Sequence, residues 1–371
     1  MKSIFKPLGD FVHLVDERNR ETEAENVLGI NIDKYFMTSV ANTIGTDLGN
    51  YKLLRTGRFA CNPMHVGRDG RLPVAVYTSM EPAIVSPAYF MFEINENAAI
   101  LSEYLMMCFR RPDFDRICTL KTDSSVRGGI TWEDLCSMEI PVPDISVQRK
   151  IVHDYKVVTD RIELLKKINE NLEAQAQAVF DTTFSTVEPD CTIADLAFIN
   201  PERKLAKGEI AKCYDMSTLP VKGTTPLGFE LKPFNGGMRF QNGDTLIARI
   251  TPCLENGKAA YINILDENEI AFGSTEYIVF SPKEGIPSSF FYFLVRNNEF
   301  VTYAKHFMTG TSGRQRVSGD ELASFKIKNP STADFGYFDT LASKVLTSIK
   351  NNTLEIEILG KLATYISATM A

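Results

Sequence analysis

The chain has 371 residues, 44% of them hydrophobic and 23% charged, with a formal net charge of −7. This length is expected to divide into two globular units with a core each, and no apolar run approaches the 18 or more residues of a membrane span. The seven cysteines are an odd number with no Cys-x-x-Cys pair, which argues against a disulfide framework or a zinc site and for a reducing cytoplasm. Met1 to Pro7 holds no apolar stretch of signal-peptide length. The acidic balance argues mildly against a nucleic-acid partner, but phosphate binding depends on where the cations cluster.

In chain order, Leu8-Gly9-Asp10-Phe11-Val12-His13-Leu14 suggests a short strand or turn leading to the charged pair Glu17-Arg18. Gly57 to Pro63 is a turn feeding a buried strand, and Ser86 to Phe92 is strand-like and aromatic. Leu101 to Phe109 has the compact apolar character of a helix. Ser124-Ser125-Val126-Arg127-Gly128-Gly129-Ile130 then precedes Met138-Glu139-Ile140-Pro141-Val142-Pro143 and a long helical pattern from 147 to about 184. The prolines close the domain, and Ser146 is the expected N-cap of the helix.

The same order then recurs. Ile193 to Ile199 leads to Glu202-Arg203, Gly243 to Arg249 matches Gly57 to Pro63, and Ser274 to Phe280 matches Ser86 to Phe92. Ser289 to Val295 is again helical, and Thr311-Ser312-Gly313-Arg314-Gln315-Arg316-Val317 stands 187 residues after its counterpart. A second long helical pattern runs from 335 to about 371. A period this long marks a duplicated domain, not a solenoid. Strands with short helices predict an α+β domain used twice: residues 1–146 and 185–334, each followed by a long helix, 147–184 and 335–371.

The helices share a seam. Ile151, Tyr155, Val158, Ile162, Leu165, Asn169, Leu172, Ala176 and Val179 alternate spacings of four and three. Phe338, Ala342, Val345, Ile349, Asn352, Ile356, Leu359, Ala363 and Ile366 repeat that pattern at a constant offset of 187. A sustained 3.5-residue apolar period is the mark of a coiled coil. These helices are about three times the length that a surface helix needs, so they are expected to pair with each other. The chain must double back for them to meet, which predicts an antiparallel pair with Asn169 and Asn352 fixing its register.

With the repeat and the helices, three phrases carry a family resemblance: Arg127-x-x-Ile130-x-x-x-x-Leu135 running into Ile140-Pro141-Val142-Pro143, then Gln148-Arg149-Lys150-Ile151-Val152, and Ala248 to Lys258. Together the chain resembles the specificity subunit of a type I restriction-modification enzyme. The resemblance implies two target recognition domains, each reading half of a split double-stranded DNA sequence. It also implies that the helices act as a spacer and as the dock for two methyltransferase (modification) subunits. Restriction (translocase-nuclease) subunits complete such an assembly. The chain itself is then non-catalytic, with S-adenosylmethionine, ATP and Mg held only by partner subunits. The sequence departs from the family in having Arg58 where Asp is usual, Val147 where Glu is usual, and no Leu-Leu-Pro-rich close to the last helix.

Catalytic motifs are missing. Asn62-Pro63-Met64-His65 lacks the second proline and the aromatic of an amino-methyltransferase motif, and Gly257-Lys258 lacks the upstream glycine of a Walker A loop. The rival readings are a stand-alone DNA methyltransferase fragment, which needs several hundred further residues, and a coiled-coil adaptor, which leaves the paired domains unexplained. Gly310 to Arg316 combines small residues with cations suited to a phosphate, and Arg316 is its strongest DNA candidate. Lys121 to Arg127 is its counterpart; Arg127 and Arg314 serve either as phosphate contacts or as partners of acidic residues near the helices. Arg249 joins this group. Base contacts are expected from loops unmatched across the repeat, Arg68-Asp69-Gly70-Arg71 and Lys222 to Thr225, with Arg68, Arg71 and Lys222 as the cations.

Overall fold

The computed structural model describes residues 4–40, 45–64, 66–122, 129–184, 189–311 and 313–370. Two compact units emerge: Met1–Asp160 with Gly360–Ala371, and Arg161–Leu359. Each unit takes a share of both long helices.

The first unit contains β1 (Phe5–Pro7), β2 (Val12–Leu14), β3 (Val27–Ile30), β4 (Phe36–Thr38), β5 (Lys52–Leu54) and β6 (Phe59–Cys61). There follow α1 (Val66–Asp69), β7 (Val74–Val76), β8 (Ala83–Val85), β9 (Phe90–Ile94), α2 (Ser102–Phe109), α3 (Pro112–Lys121), α4 (Trp132–Cys136) and β10 (Glu139–Pro141). Helix α5 (Ile145–Thr183) passes into the second unit, which holds β11 (Cys191–Thr192), α6 (Ile193–Leu196), β12 (Ala197–Ile199), β13 (Ile210–Tyr214), β14 (Glu230–Pro233), β15 (Met238–Phe240) and β16 (Thr245–Ala248). It continues with β17 (Ala259–Tyr261), β18 (Ala271–Gly273), β19 (Tyr277–Pro282), α7 (Ser288–Leu294), α8 (Asn298–His306), α9 (Gly319–Ala323), β20 (Lys326–Ile327) and α10 (Thr332–Ala368).

The duplication is a duplication of topology. One four-stranded sheet has the order β2-β9-β6-β7 in the first unit and β12-β19-β16-β17 in the second. The other has the order β4-β3-β8-β5 and β14-β13-β18-β15, with β3–β8 and β13–β18 its parallel pairs. In both units a glycine with positive φ, Gly57 (88°) or Gly243 (90°), turns the chain into the central strand, a conformation that costs glycine little.

Side-chain alternation then divides the core. Phe59 and Cys61 of β6 join α2 in one apolar cluster, while Ala60 joins Leu54, Ala83 and Val85 on the opposite face. In the second unit Ile247 packs with α7, while Leu246 and Ala248 pack with Tyr214, Phe240 and Ala271. A strand buried on both faces is apolar instead of alternating, and every residue of β6 and β16 is buried and, Thr245 apart, apolar.

The long helices pair antiparallel. Within the second unit Arg161 meets Glu355 (2.8 Å), the Asn352 side-chain amide donates to Asn169 Oδ1 (2.8 Å), and Phe180 and Phe184 pack edge-on and tilted against Phe338 and Phe335 at ring-centroid distances of 5.4 and 5.9 Å. Positions that rise along α5 fall along α10. All the seam residues are buried or half-buried, Val158, Leu165, Ala176, Phe338, Ala342, Val345, Ile349 and Ala363 fully so. Asn169 also donates to Thr353 Oγ1 (3.4 Å), so the polar break in the seam is satisfied across the pair.

Ser146 does not cap α5. The helix starts at Ile145, with the Val147 and Gln148 amides bonding back to the Asp144 carbonyl (2.9 and 3.0 Å), so Ser146 lies inside the first turn. The lock at this end is Gln148. It is fully buried, its amide donates to the carbonyls of Ala99 (2.9 Å) and Pro143 (2.8 Å), and its oxygen accepts from the Leu101 amide (2.9 Å). In the other copy the corresponding residue is Phe335, set among aromatic rings.

The residue before the central strand carries opposite charge in the two copies, and each is paired. Arg203 meets Asp244 at 2.7 Å in the second unit, and Glu17 meets Arg58 at 2.6 Å in the first. Asp244 and Arg58 each directly precede the central strand. Arg58 therefore replaces the usual Asp without leaving a lone charge: Glu17, which matches Glu202 and not Arg203 in the repeat, pairs with it, and so does Glu93 at 2.6 Å. Burial raises the Asp244 carboxyl above its ordinary value, against the pull of the Gln241 amide and Arg203.

Gln148→Ala strands two buried carbonyls and one amide, and should destabilise the protein by about 2–4 kcal/mol. Urea unfolding followed by circular dichroism checks this; a loss under about 0.5 kcal/mol would show that the glutamine is not the lock.

Candidate nucleic-acid interface

In the second unit, three segments distant in sequence meet at one carboxylate. The loop after β16 lies along the segment before α9: the Val317 amide donates to the Arg249 carbonyl (3.0 Å), the Thr251 amide to the Gln315 carbonyl (3.0 Å), and the Gln315 amide to Thr251 Oγ1 (3.1 Å). Glu276, at the entrance to β19, receives both arginines. Arg249 Nε lies 3.1 Å from Oε2, and Arg316 is bidentate, with Nε at 3.0 Å and Nη2 at 2.7 Å from Oε1. The Arg316 guanidinium, helped by Arg249, holds the Glu276 carboxyl below the ordinary carboxylate range against the opposing effect of burial. Arg249 and Arg316 keep 35% and 40% of their side-chain surface exposed, so both remain available to a ligand.

The excursion from Gly310 to Gln315 is closed at its base by paired hydrogen bonds between Thr309 and Arg316, both 2.9 Å. Gly310 has φ 126°, and a Cβ there would sit 3.0 Å from the Arg314 carbonyl. Arg314 is exposed at the tip and has no acidic partner among the described residues. The nearby Lys222 loop is held from behind by Arg296, which donates to the carbonyls of Val221 (2.8 Å), Gly257 (2.6 Å), Gly223 (3.1 Å) and Ala259 (3.3 Å). Its guanidinium lies 5.4 Å from the centroid of the Tyr292 ring. Lys222 itself is exposed and unpaired among the described residues.

The first unit keeps the scaffold and changes the side chains. The Ile130 amide donates to the Pro63 carbonyl (3.1 Å) as Val317 does to Arg249. In the repeat, Pro63, Ala88 and Gly129 occupy the places of Arg249, Glu276 and Arg316. Its cations gather elsewhere, around a cavity of about 390 Å³ lined by Asp33, Lys34, Arg71, Arg110 and Asp115. Lys34 is buried, bonding the Phe109 carbonyl and Asp115 Oδ1 (2.7 Å); burial drives its ammonium below the ordinary lysine value. Arg71 pairs with Asp33 at 2.9 Å with both side chains largely exposed. The segment expected to be a loop at 68–71 starts as a helical turn, α1, which Gly70 ends with φ 64°; the Arg68 side chain lies outside what is described. Lys121 donates to Ser137 Oγ at 2.9 Å. Arg127 and His65 lie outside the described residues.

No family model matches the chain. It is 33% identical over 132 residues to the EcoAI specificity subunit of Escherichia coli, a match covering 34% of this chain and 22% of that protein. It is 26% identical over 191 residues to the HindI specificity subunit of Haemophilus influenzae, covering 49% of this chain and 40% of that one. Both are type I restriction enzyme specificity subunits, and the matches span less than half of their lengths. The crystal structure of the type I restriction-modification S subunit from M. genitalium aligns over 100% of this chain and 96% of its own, with a TM-score of 0.63 at 11% identity. The chain resembles the type I specificity subunits. It shares their sequence in part and the M. genitalium subunit's fold throughout: an α+β molecule with two similar domains and two long helices. No helix among the described residues is long and apolar enough to cross a membrane.

The Glu276 junction, the Arg296 staple and the Lys34–Asp115 pair escape sequence reasoning. One signal does exist for Glu276: a charged residue stands where the other copy has Ala88.

Glu276 has a lowered folded value, so its pairing contributes fully above the unfolded carboxylate value of 4.5 and is lost as pH falls through the folded value. The melting temperature of Glu276→Gln should therefore lie below that of the wild type above about pH 5, with the gap closing in acid. Calorimetry across pH checks this, and a pH-independent gap would rule out ionisation as its source.

Proposed function

We propose that the chain is the DNA-recognition subunit of a type I restriction-modification enzyme, acting in the cytoplasm and performing no chemistry itself. Each unit reads one half of a bipartite double-stranded target. The helix pair serves as spacer and as the dock for two methyltransferase subunits, and restriction subunits join the same assembly. S-adenosylmethionine, ATP and Mg belong to those partners.

The observation that carries this reading is one topology built twice with different cations on its loops. A scaffold that repeats while its loop chemistry changes suits a ligand read twice at non-identical sequences. The partial likeness to EcoAI and HindI specificity subunits supports it.

Exchanging residues 1–146 for the equivalent domain of a relative should alter one half of the methylated motif and leave the other intact. Mapping methylated adenines in host DNA reads the result directly. Alteration of both halves would contradict two independent readers, and loss of no motif on deleting the gene would remove the proposed role.

A further inference from the structure

Arg249 and Arg316 share a single carboxylate, and this arrangement bears on which part of DNA they touch. Two arginines and one glutamate leave a net charge of +1, so the trio is a weak neutraliser of phosphates for its number of cations. Its orientation, by contrast, is fixed. Glu276 takes the Nε and Nη2 side of Arg316 and the Nε of Arg249. The terminal nitrogens of Arg249 form no other hydrogen bond among the described residues, and Arg316 Nη1 makes one long contact, 3.2 Å, to the Arg314 carbonyl. The outer edge of the Arg249 fork is thus open, that of Arg316 is met only by this one backbone carbonyl, and their stems are held by a carboxylate and by the paired loops beneath. A planar fork with its inner side anchored and its outer side open matches the O6 and N7 acceptors of guanine in the major groove. Arg314, unpaired at the tip of a glycine-flanked loop, has the opposite character: a full charge with little orientation, as a phosphate contact needs.

We infer that Glu276 is a positioning residue that presents Arg249 and Arg316 to guanine in the half-site bound by the second unit, with Arg314 holding the adjacent phosphate. This rests on the DNA-recognition reading above and departs from the phosphate role that the sequence alone suggests for Arg316. Pro63, Ala88 and Gly129 occupy the corresponding places in the first unit, so that unit reads its half-site without this device.

The test selects binders from a randomised duplex DNA library, using the full chain assembled with the modification subunits of its host. Arg316→Lys and Arg249→Lys keep the charge and lose the fork. Each should lower the preference for a guanine in one half of the consensus by roughly tenfold or more, with the salt dependence of binding unchanged. Glu276→Gln should weaken the same preference, and the other half of the consensus serves as the internal control for folding. Arg314→Ala should leave the consensus intact and reduce the salt slope by about one.

An unaltered consensus in both lysine variants overturns the inference while leaving the DNA-recognition reading in place. So does an Arg316→Ala variant that changes the salt slope alone. A wild-type assembly that selects no bipartite consensus overturns the reading itself, and the inference with it.

Discussion

Phe59 and Ile247 point to a layer of helices, while Ala60 and Leu246 point to a second sheet. A central strand whose two faces must both leave water needs a covering element on each side. That requirement determines the layer order of both units: helix, sheet, sheet. Apolar burial of this kind is non-directional. It tolerates exchange of one apolar residue for another as long as the alternation is kept, which is why the copies share a topology with little identity of side chains. The strand ends and the loops between them carry no such requirement, and there the copies diverge.

Charge in the interior follows a stricter rule. A buried ion needs a partner with good geometry, and removing one member costs far more than the pair contributes. The two units meet the rule differently at the residue before the central strand: Asp244 pairs with Arg203 in one, and Arg58 with Glu17 and Glu93 in the other. The reversed sign at Arg58 is met by carboxylates beside, and not at, the position that matches Arg203. The same logic binds Lys34 to Asp115 and both loop arginines to Glu276. At the surface loops, pairing sets direction more than stability, and a guanidinium with a set direction can discriminate between hydrogen-bond patterns.

The long helices combine two ways of holding a helix end. Gln148 anchors α5 through directed hydrogen bonds to backbone groups that would otherwise be unsatisfied. Phe335 and Phe338 anchor α10 through edge-to-face and tilted ring contacts with Phe180, Phe184, Phe290 and Phe293. Between these anchors, the Asn169–Asn352 contact places one polar group opposite another. A shift of one turn would leave both amides against apolar neighbours, which makes the pair a register mark.

Periodicity reports the environment of a residue relative to its near neighbours. The sequence alone was therefore enough to show the duplication, the α+β character, the helices near 102–109 and 288–294, and which face of α5 and α10 is withdrawn from water. Local backbone geometry was less accessible: Ser146 is inside its helix, and residues 66–69 form a helical turn. Glu276 lies 40 residues from Arg316, and Asp115 lies 81 from Lys34. Those separations are bridged only by the order of strands in the sheets and the packing of loops at their ends. No local pattern encodes such a pairing, because a charged residue beside a strand looks the same in sequence whether its partner is water or an arginine. Tertiary structure decided which cations are tethered to a carboxylate and which, among the described residues, are not.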